Sequence, residues 1–334
     1  MSRLNFCTLF DSNYLSRGLV LYDSLAEQCP DFHLYVFAFN DLALKVLTQL
    51  KLPYLTVISL KQFEDPELLA VKPGRSRAEY CWTCTSSTIH YVLEHFDVEN
   101  CTYLDADMRF YANPQVLIDE MESSGKSVLI TAHRYTRRYD QSLLRGKYCV
   151  QFMYFKNNKE GREVLGWWRA RCIEWCYARV EDGKFGDQKY LDDWTTRFPS
   201  VHELQHQGGG IAPWNCQQFV FSKEGKQIGV SEKGSPETFP VVFFHFHGLK
   251  LFQNEDVIFA PRSYQLSEVV KEFFYLPYTR ELLKKGKELD VLFPDIDFHA
   301  RGSNKQFLKE KWLIGHYSWI KRNLWRRIFP PRLS

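Results

Sequence analysis

Leu4-Asn-Phe-Cys-Thr-Leu9, Leu34-Tyr-Val-Phe-Ala-Phe39 and Leu55-Thr-Val-Ile-Ser-Leu60 are three short apolar runs at the head of a 334-residue chain. The first two read as buried strands, and the third is strand-like. Between the first two, Leu15, Leu19, Tyr22 and Leu25 or Ala26 recur at helical spacing, and Asp41 to Leu50 reads as a second helix. Strand, helix, strand, helix, strand predicts a doubly wound sheet whose strands run in parallel. Ligands of such sheets sit beyond the carboxyl ends of the strands. Asp11-Ser-Asn13 lies at one such end and has loop and helix-cap residue types.

Working outward, a loop rich in Pro, Gly and Arg (Lys72 to Arg77) precedes a predicted helix from about Trp82 to His95. Cys101 to Leu104 is a strand that ends on Asp105-Ala-Asp107. Val128 to Thr131 and Val150 to Phe155 read as strands and the aromatic stretch Trp167 to Val180 as a helix, with Trp167, Trp168 and Trp175 in the core. Past Asp187-Gln188 the pattern is irregular through Gly208-Gly-Gly210 until Val241 to His247, a further strand. The division expected is one α/β domain over residues 1–260 and a C-terminal appendage over 261–334.

Composition narrows the function. A net charge of +3 is far from that of a dedicated nucleic-acid binder. The 26 Phe, 18 Tyr and 9 Trp suit a protein that grips bases or sugar faces as well as its own core. Nine cysteines without disulfide rhythm point to reduced thiols and a cytoplasmic setting. Cys81 and Cys84 form a C-x-x-C, but no second pair at that spacing completes a zinc site. The N-terminus shows no secretory leader, and no stretch reaches the ~18 apolar residues of a membrane span. No phosphate-loop or dinucleotide-binding glycine motif supports a kinase, nucleotide hydrolase or dehydrogenase.

Two clusters carry chemistry. Tyr103-Leu-Asp-Ala-Asp-Met108 puts two carboxylates around one small residue just past an apolar strand. There Asp105 and Asp107 can converge on one hard divalent cation that keeps positions open for phosphate oxygens. A leaving diphosphate needs such neutralisation. In Phe244-His-Phe-His-Gly-Leu-Lys250, His245 and His247 alternate with aromatics and share one strand face. Gly248 allows close backbone approach to a ligand, and Lys250 offers charge suited to phosphate. Arg75 and Arg77, in the loop before the third helix, are candidate anion contacts.

In these motifs and their order the chain resembles the GT-A-fold glycosyltransferases, most closely the family-8 bacterial type that includes lipo-oligosaccharide galactosyltransferases. The likeness spans about residues 3 to 252 and is most specific in Tyr103 to Met108 and His245 to Lys250. It implies a GT-A-like mixed sheet with a basic helical appendage. It also implies manganese or magnesium held by Asp105, Asp107 and His245, with His247 as the alternative because the His motif is one residue shorter than usual. The donor, a nucleotide sugar of the UDP type, would be held by Thr8, Asp11, Asn13, Tyr14, Arg77, Gly248 and Lys250. Asp11 would bond the base and Tyr14 stack on it. Asp187 and Gln188 would sit at the donor sugar and the reacting face, and the configuration at the anomeric carbon would be retained. Where the family usually carries Asn-x-Gly beside the donor sugar, this chain has Cys149-Val-Gln151, so Gln151 would place an amide there.

Trp214 and Asn215 read as either an acceptor platform or a packed loop. Residues 305–334 carry eight Lys or Arg and one Glu, and Leu313, Tyr317, Ile320, Leu324 and Ile328 make one helical stripe. That pattern suits an anionic membrane surface, which would place the protein peripherally on the inner face of the cytoplasmic membrane, near a glycan or glycolipid acceptor. Two other classes stay in view. A nucleotidyltransferase also pairs carboxylates with a metal, although Thr8 to Asn13 has neither Gly nor Lys. A non-catalytic carbohydrate-binding protein on a degenerate fold is the other.

Overall fold

The chain's structure, a computed structural model, describes residues 3–261, 263–294, 296, 301–303 and 305–309. Its first strand, β1 (Leu4–Phe10), is buried along its whole length because apolar side chains occupy both faces. β2 (Phe32–Ala38), β3 (Leu55–Ser59) and β4 (Asn100–Leu104) join it in parallel. After the short β5 (Met108–Phe110) come β6 (Val128–Ala132), β7 (Tyr148–Lys156) and β8 (Val201–Glu203). The seven-stranded sheet has the order β3-β2-β1-β4-β7-β6-β8. Only β7 runs against its neighbours β4 and β6, so the sheet is mixed.

Helices cover both faces. The Leu15–Gln28 and Asp41–Leu50 helices bury Leu19, Leu25, Val46 and Leu47 with Phe6 and Phe10 on one side. The Arg77–His95 and Lys159–Glu174 helices bury Ile89, Val92, Leu165 and Trp168 on the other. The first of that pair begins earlier than the predicted Trp82. Ser76 and Glu79 form a capping box, in which the Ser76 hydroxyl accepts from the Glu79 amide and the Glu79 carboxylate from the Ser76 amide. The second differs more from the expected Trp167 to Val180. Asn158 caps it by accepting from the Gly161 amide, and Trp175 leaves it with extended backbone at φ −152°. The Trp175 carbonyl then accepts from the Tyr190 hydroxyl, which holds the chain out of helix.

Asn40 links the sheet to the site. Its Oδ1 accepts from the Ala43 amide at 2.9 Å, capping the Asp41–Leu50 helix, and from the Ser12 amide at 3.2 Å. Its amide donates to the Ser12 hydroxyl at 2.9 Å. Asn40→Ala should cost about 1–2 kcal/mol, the upper part of the usual cap range, because it frees the loop after β1 as well as the helix. Urea denaturation checks this, and an unchanged midpoint would contradict it.

A three-stranded antiparallel sheet, β9 (Phe219–Glu224), β10 (Gln227–Glu232) and β11 (Phe239–Pro240), leads into β12 (Phe243–His245). β12 pairs antiparallel with β5, setting His245 opposite Met108. The strand is shorter than the expected Val241 to His247. Beside it the chain turns through Gly208, where a Cβ would meet the Pro240 carbonyl at 1.8 Å, so only glycine fits. The Leu276–Leu292 helix lies past residue 260 and packs Tyr278 flat on Phe246, with ring centroids 3.7 Å apart. Together with Phe274 and Tyr275 it backs the histidine strand. The basic stripe from Leu313 to Ile328 lies outside the described residues. Among the described residues, no helix is long and apolar enough to cross a membrane.

Candidate active site

A cleft of about 580 Å³ opens at the carboxyl ends of β1 and β4, where a doubly wound sheet presents its ligand site. Asp105 follows β4 directly, and the chain turns through Ala106 and Asp107 into β5. The two carboxylates therefore meet through a turn just past the strand. The β5–β12 ladder then carries His245 to them. Its Nε2 lies 3.1 Å from an Asp107 oxygen and 3.7 Å from an Asp105 oxygen. One ligand atom from each of the three side chains falls within a 4.8 Å span. His247 also reaches the cleft, with its ring centroid 5.8 Å from that of His245, but it does not belong to this cluster. Two carboxylate oxygens and one imidazole nitrogen suit a divalent ion such as Mn2+ or Mg2+.

The electrostatics agree with that chemistry. Burial and the charge of Asp107 raise the pKa of Asp105, although His245 pulls the other way. Burial also works against ionisation of Asp107, but the charge and hydrogen bond of His245 outweigh it and hold its pKa below the usual value. Burial disfavours the His245 cation, while Asp107 and Asp105 more than compensate. The Tyr103 hydroxyl donates to Asp105 at 3.1 Å and fixes the first carboxylate.

The other expected residues divide. Asp11, Tyr14, Arg77, Asp187 and Gln188 line the same cleft. Asp11 accepts from the Asn13 amide at 2.8 Å and forms an ion pair with Arg77 at the start of the Arg77–His95 helix. Tyr14 is 40% exposed, with the Arg17 guanidinium 4.7 Å from its ring centroid. The Gln188 amide donates to the Arg145 carbonyl at 2.7 Å. Thr8, Asn13, Gly248 and Lys250 are not among the lining residues. Thr8 is wholly buried in β1, because the pleat turns its neighbour Leu9 to the cleft instead. Lys250 lies exposed in a two-residue ladder opposite Ile258.

Gln151 does not line the cleft either: it is wholly buried in β7, with its side chain against His245. Asn215 is likewise no platform. It is fully buried, accepting from the Ala212 amide and donating to the His133 and Gly210 carbonyls. Trp214 does line the cleft and packs edge-on against both His245 and His247. His133, Tyr135, Arg145, Phe185 and Tyr264 complete the walls. His133 and Tyr135 share the loop after β6, Arg145 ends the Ser142–Arg145 helix, and Phe185 and Tyr264 come from two further loops, so no local motif marks them.

Asp187 is 5% exposed, and burial together with the Asp105 charge pushes its carboxyl up to about 7. An unfolded Asp ionises near 3.9, so the folded state binds the extra proton between those values. This contribution to stability is full below about pH 4 and is lost as pH rises to about 7. In chelator, Asp187→Asn should therefore match the parent near pH 4. Its advantage should grow to a few kcal/mol above pH 7, about the upper limit that linkage allows. A pH series of urea midpoints checks this, and a constant difference would contradict it.

Two proteins of Bacillus subtilis (strain 168), the uncharacterized YfnD and YfnF, are similar to this chain. They are 28% and 29% identical over 302 and 313 residues, covering 88% and 90% of this chain and 94% and 99% of theirs. No protein-family model matches the chain. Among solved structures, that of the galactosyltransferase LgtC in complex with donor and acceptor sugar analogues superposes with a TM-score of 0.51 at 15% identity. That match covers 84% of this chain and 96% of LgtC. At that identity the likeness concerns architecture, and it agrees with the mixed, mostly parallel sheet described above: the chain has a GT-A-type glycosyltransferase fold.

Proposed function

We propose that this chain is a metal-dependent glycosyltransferase of the family-8 type. It would move a sugar from a UDP-linked donor to a hydroxyl of a surface glycan or lipid-linked oligosaccharide, with retention at the anomeric carbon. The observation that carries this reading is the convergence of Asp105, Asp107 and His245 in the cleft at the strand ends of this fold. Those three residues would hold Mn2+ or Mg2+. When bound, such an ion supplies Lewis-acid stabilisation to a leaving diphosphate.

The chain's own residues do the remainder. Asp11, steadied by Arg77 and the Asn13 amide, presents an acceptor oxygen at the cleft rim, suited to a base N–H. The exposed Tyr14 ring offers a stacking face beside it. Asp187, buried and shifted toward neutral pH, can hydrogen-bond a sugar hydroxyl as donor or acceptor. Tyr135, half-buried at the cleft wall, would offer a ring face to a second sugar, with the buried Trp214 packed behind it. Much of the acceleration would come from holding donor and acceptor in reacting geometry.

Incubating the full chain with Mn2+ and a panel of UDP-, GDP-, CMP- and dTDP-sugars tests this, with released nucleotide as the readout. Release of UDP from a UDP-sugar, abolished by chelator, is expected. Release of pyrophosphate from a nucleoside triphosphate and a sugar phosphate would instead establish a nucleotidyltransferase. Glycan binding without turnover of any donor would establish the non-catalytic alternative. With an acceptor in hand, an inverted product anomer in the NMR spectrum would overturn retention and point to Asp187 as a base.

A further inference from the structure

We infer that Gln151 is the positioning residue that keeps His245 in the form able to bind a divalent ion; this rests on the metal site proposed above. An imidazole can ligate only through a nitrogen with a free lone pair. The nitrogen of His245 that faces the two carboxylates is Nε2. For Nε2 to offer its lone pair in the neutral ring, the proton must sit on Nδ1. The amide oxygen of Gln151 lies 2.8 Å from Nδ1 and accepts that proton's hydrogen bond. The reverse amide orientation would set an N–H against Nδ1, leaving the ring proton on Nε2, where the ion would sit.

Three features support a dedicated role over ordinary packing. Gln151 is 0% exposed, and its amide nitrogen makes no hydrogen bond. An apolar side chain would avoid that buried unpaired donor, so the amide oxygen is what the position retains. The backbone carbonyl of Gln151 also accepts from the Asp105 amide at 3.2 Å. One residue of β7 thus orients the ring of one ligand and anchors the main chain of another. Finally, Gly210, at φ +89°, passes so close that a Cβ there would come 3.2 Å from the Gln151 amide nitrogen. The third glycine of the Gly208–Gly210 run leaves room for this side chain.

The test reads Mn2+ affinity directly, by electron paramagnetic resonance titration of the full chain without nucleotide. Melting temperatures in chelator show that each variant is folded at the titration temperature. Q151M keeps length and burial but removes the acceptor, whereas Q151E keeps an oxygen at the same place. Q151M should weaken Mn2+ binding by about 10–100-fold and Q151E should stay within about threefold of the parent, as outer partners of ligating histidines do. Equal affinity in Q151M and the parent would overturn the inference while leaving the metal site standing. Equal losses in both variants would also overturn it, since packing alone would then explain them. Should Q151M not fold, Q151E decides: retained affinity supports the role and a loss of tenfold or more counts against it. A parent chain that binds no Mn2+ would remove the metal site itself, and this inference with it.

Discussion

Asp107→Asn should lower sugar transfer by roughly a thousandfold, equivalent to about 4 kcal/mol of transition-state stabilisation. The substitution is isosteric. It keeps an oxygen for His245 but removes one of the two charges that would face a divalent ion. Steady-state kinetics under saturating Mn2+ reads the effect, and Mn2+ titration separates lost metal binding from lost chemistry. Asp105→Asn should behave similarly, because the Tyr103 hydroxyl and the Gln151 carbonyl hold the residue in place without its charge. Activity within tenfold of the parent in either variant would remove the metal from the mechanism.

Trp168→Ala should be the most destabilising truncation near the site, at about 3–5 kcal/mol. Trp168 is fully buried, stacks on Phe155 at 6.2 Å and meets Trp194 edge-on at 5.7 Å. Its indole N–H also donates to the Asp187 carbonyl at 2.9 Å. The loss should therefore lower the melting temperature on the order of 10 °C and loosen the loop that presents Asp187. Trp168→Phe separates the two effects, since it keeps most of the packing and removes the hydrogen bond. A Phe variant with normal stability but weakened donor binding would show that the bond positions Asp187. If Trp168→Ala cost less than about 1 kcal/mol, the cluster would not be the core element it looks to be.

What could be read from the sequence follows from how local each signal is. β1, β2 and β3 were legible because each is a short, mainly apolar run bounded by loop types, although β3, at the sheet's edge, is only partly buried. The helix before β4 was legible in type but not at its start, since Ser76 and Glu79 cap it from within a loop that reads as Pro, Gly and Arg. The reversal of β7 was not legible. Its residues, Tyr148 to Lys156, are apolar on both faces whichever way it runs, and direction depends on the connections around it.

The site divides in the same way. Asp105, Asp107 and His245 stood out because each lies in a compact motif, and a turn and a short ladder bring them together. Gln151 stood out as a departure, but its contact with His245 was not legible. Its partner His245 is 94 residues away, and only the sheet reveals that pairing. The cleft walls at His133, Tyr135, Arg145 and Tyr264 carry no motif, so tertiary structure alone assembles them.

We propose above that this cleft binds a nucleotide diphosphate through a metal held by Asp105, Asp107 and His245. Thermal unfolding of the full chain with UDP, GDP, CMP or dTDP, each with and without Mn2+, tests it most directly, because a ligand that binds only the folded state raises the melting temperature. The expected result is a rise with UDP that requires Mn2+ and disappears in Asp107→Asn. A rise that is independent of the metal and survives that substitution would contradict it, as would no rise with any of the four nucleotides.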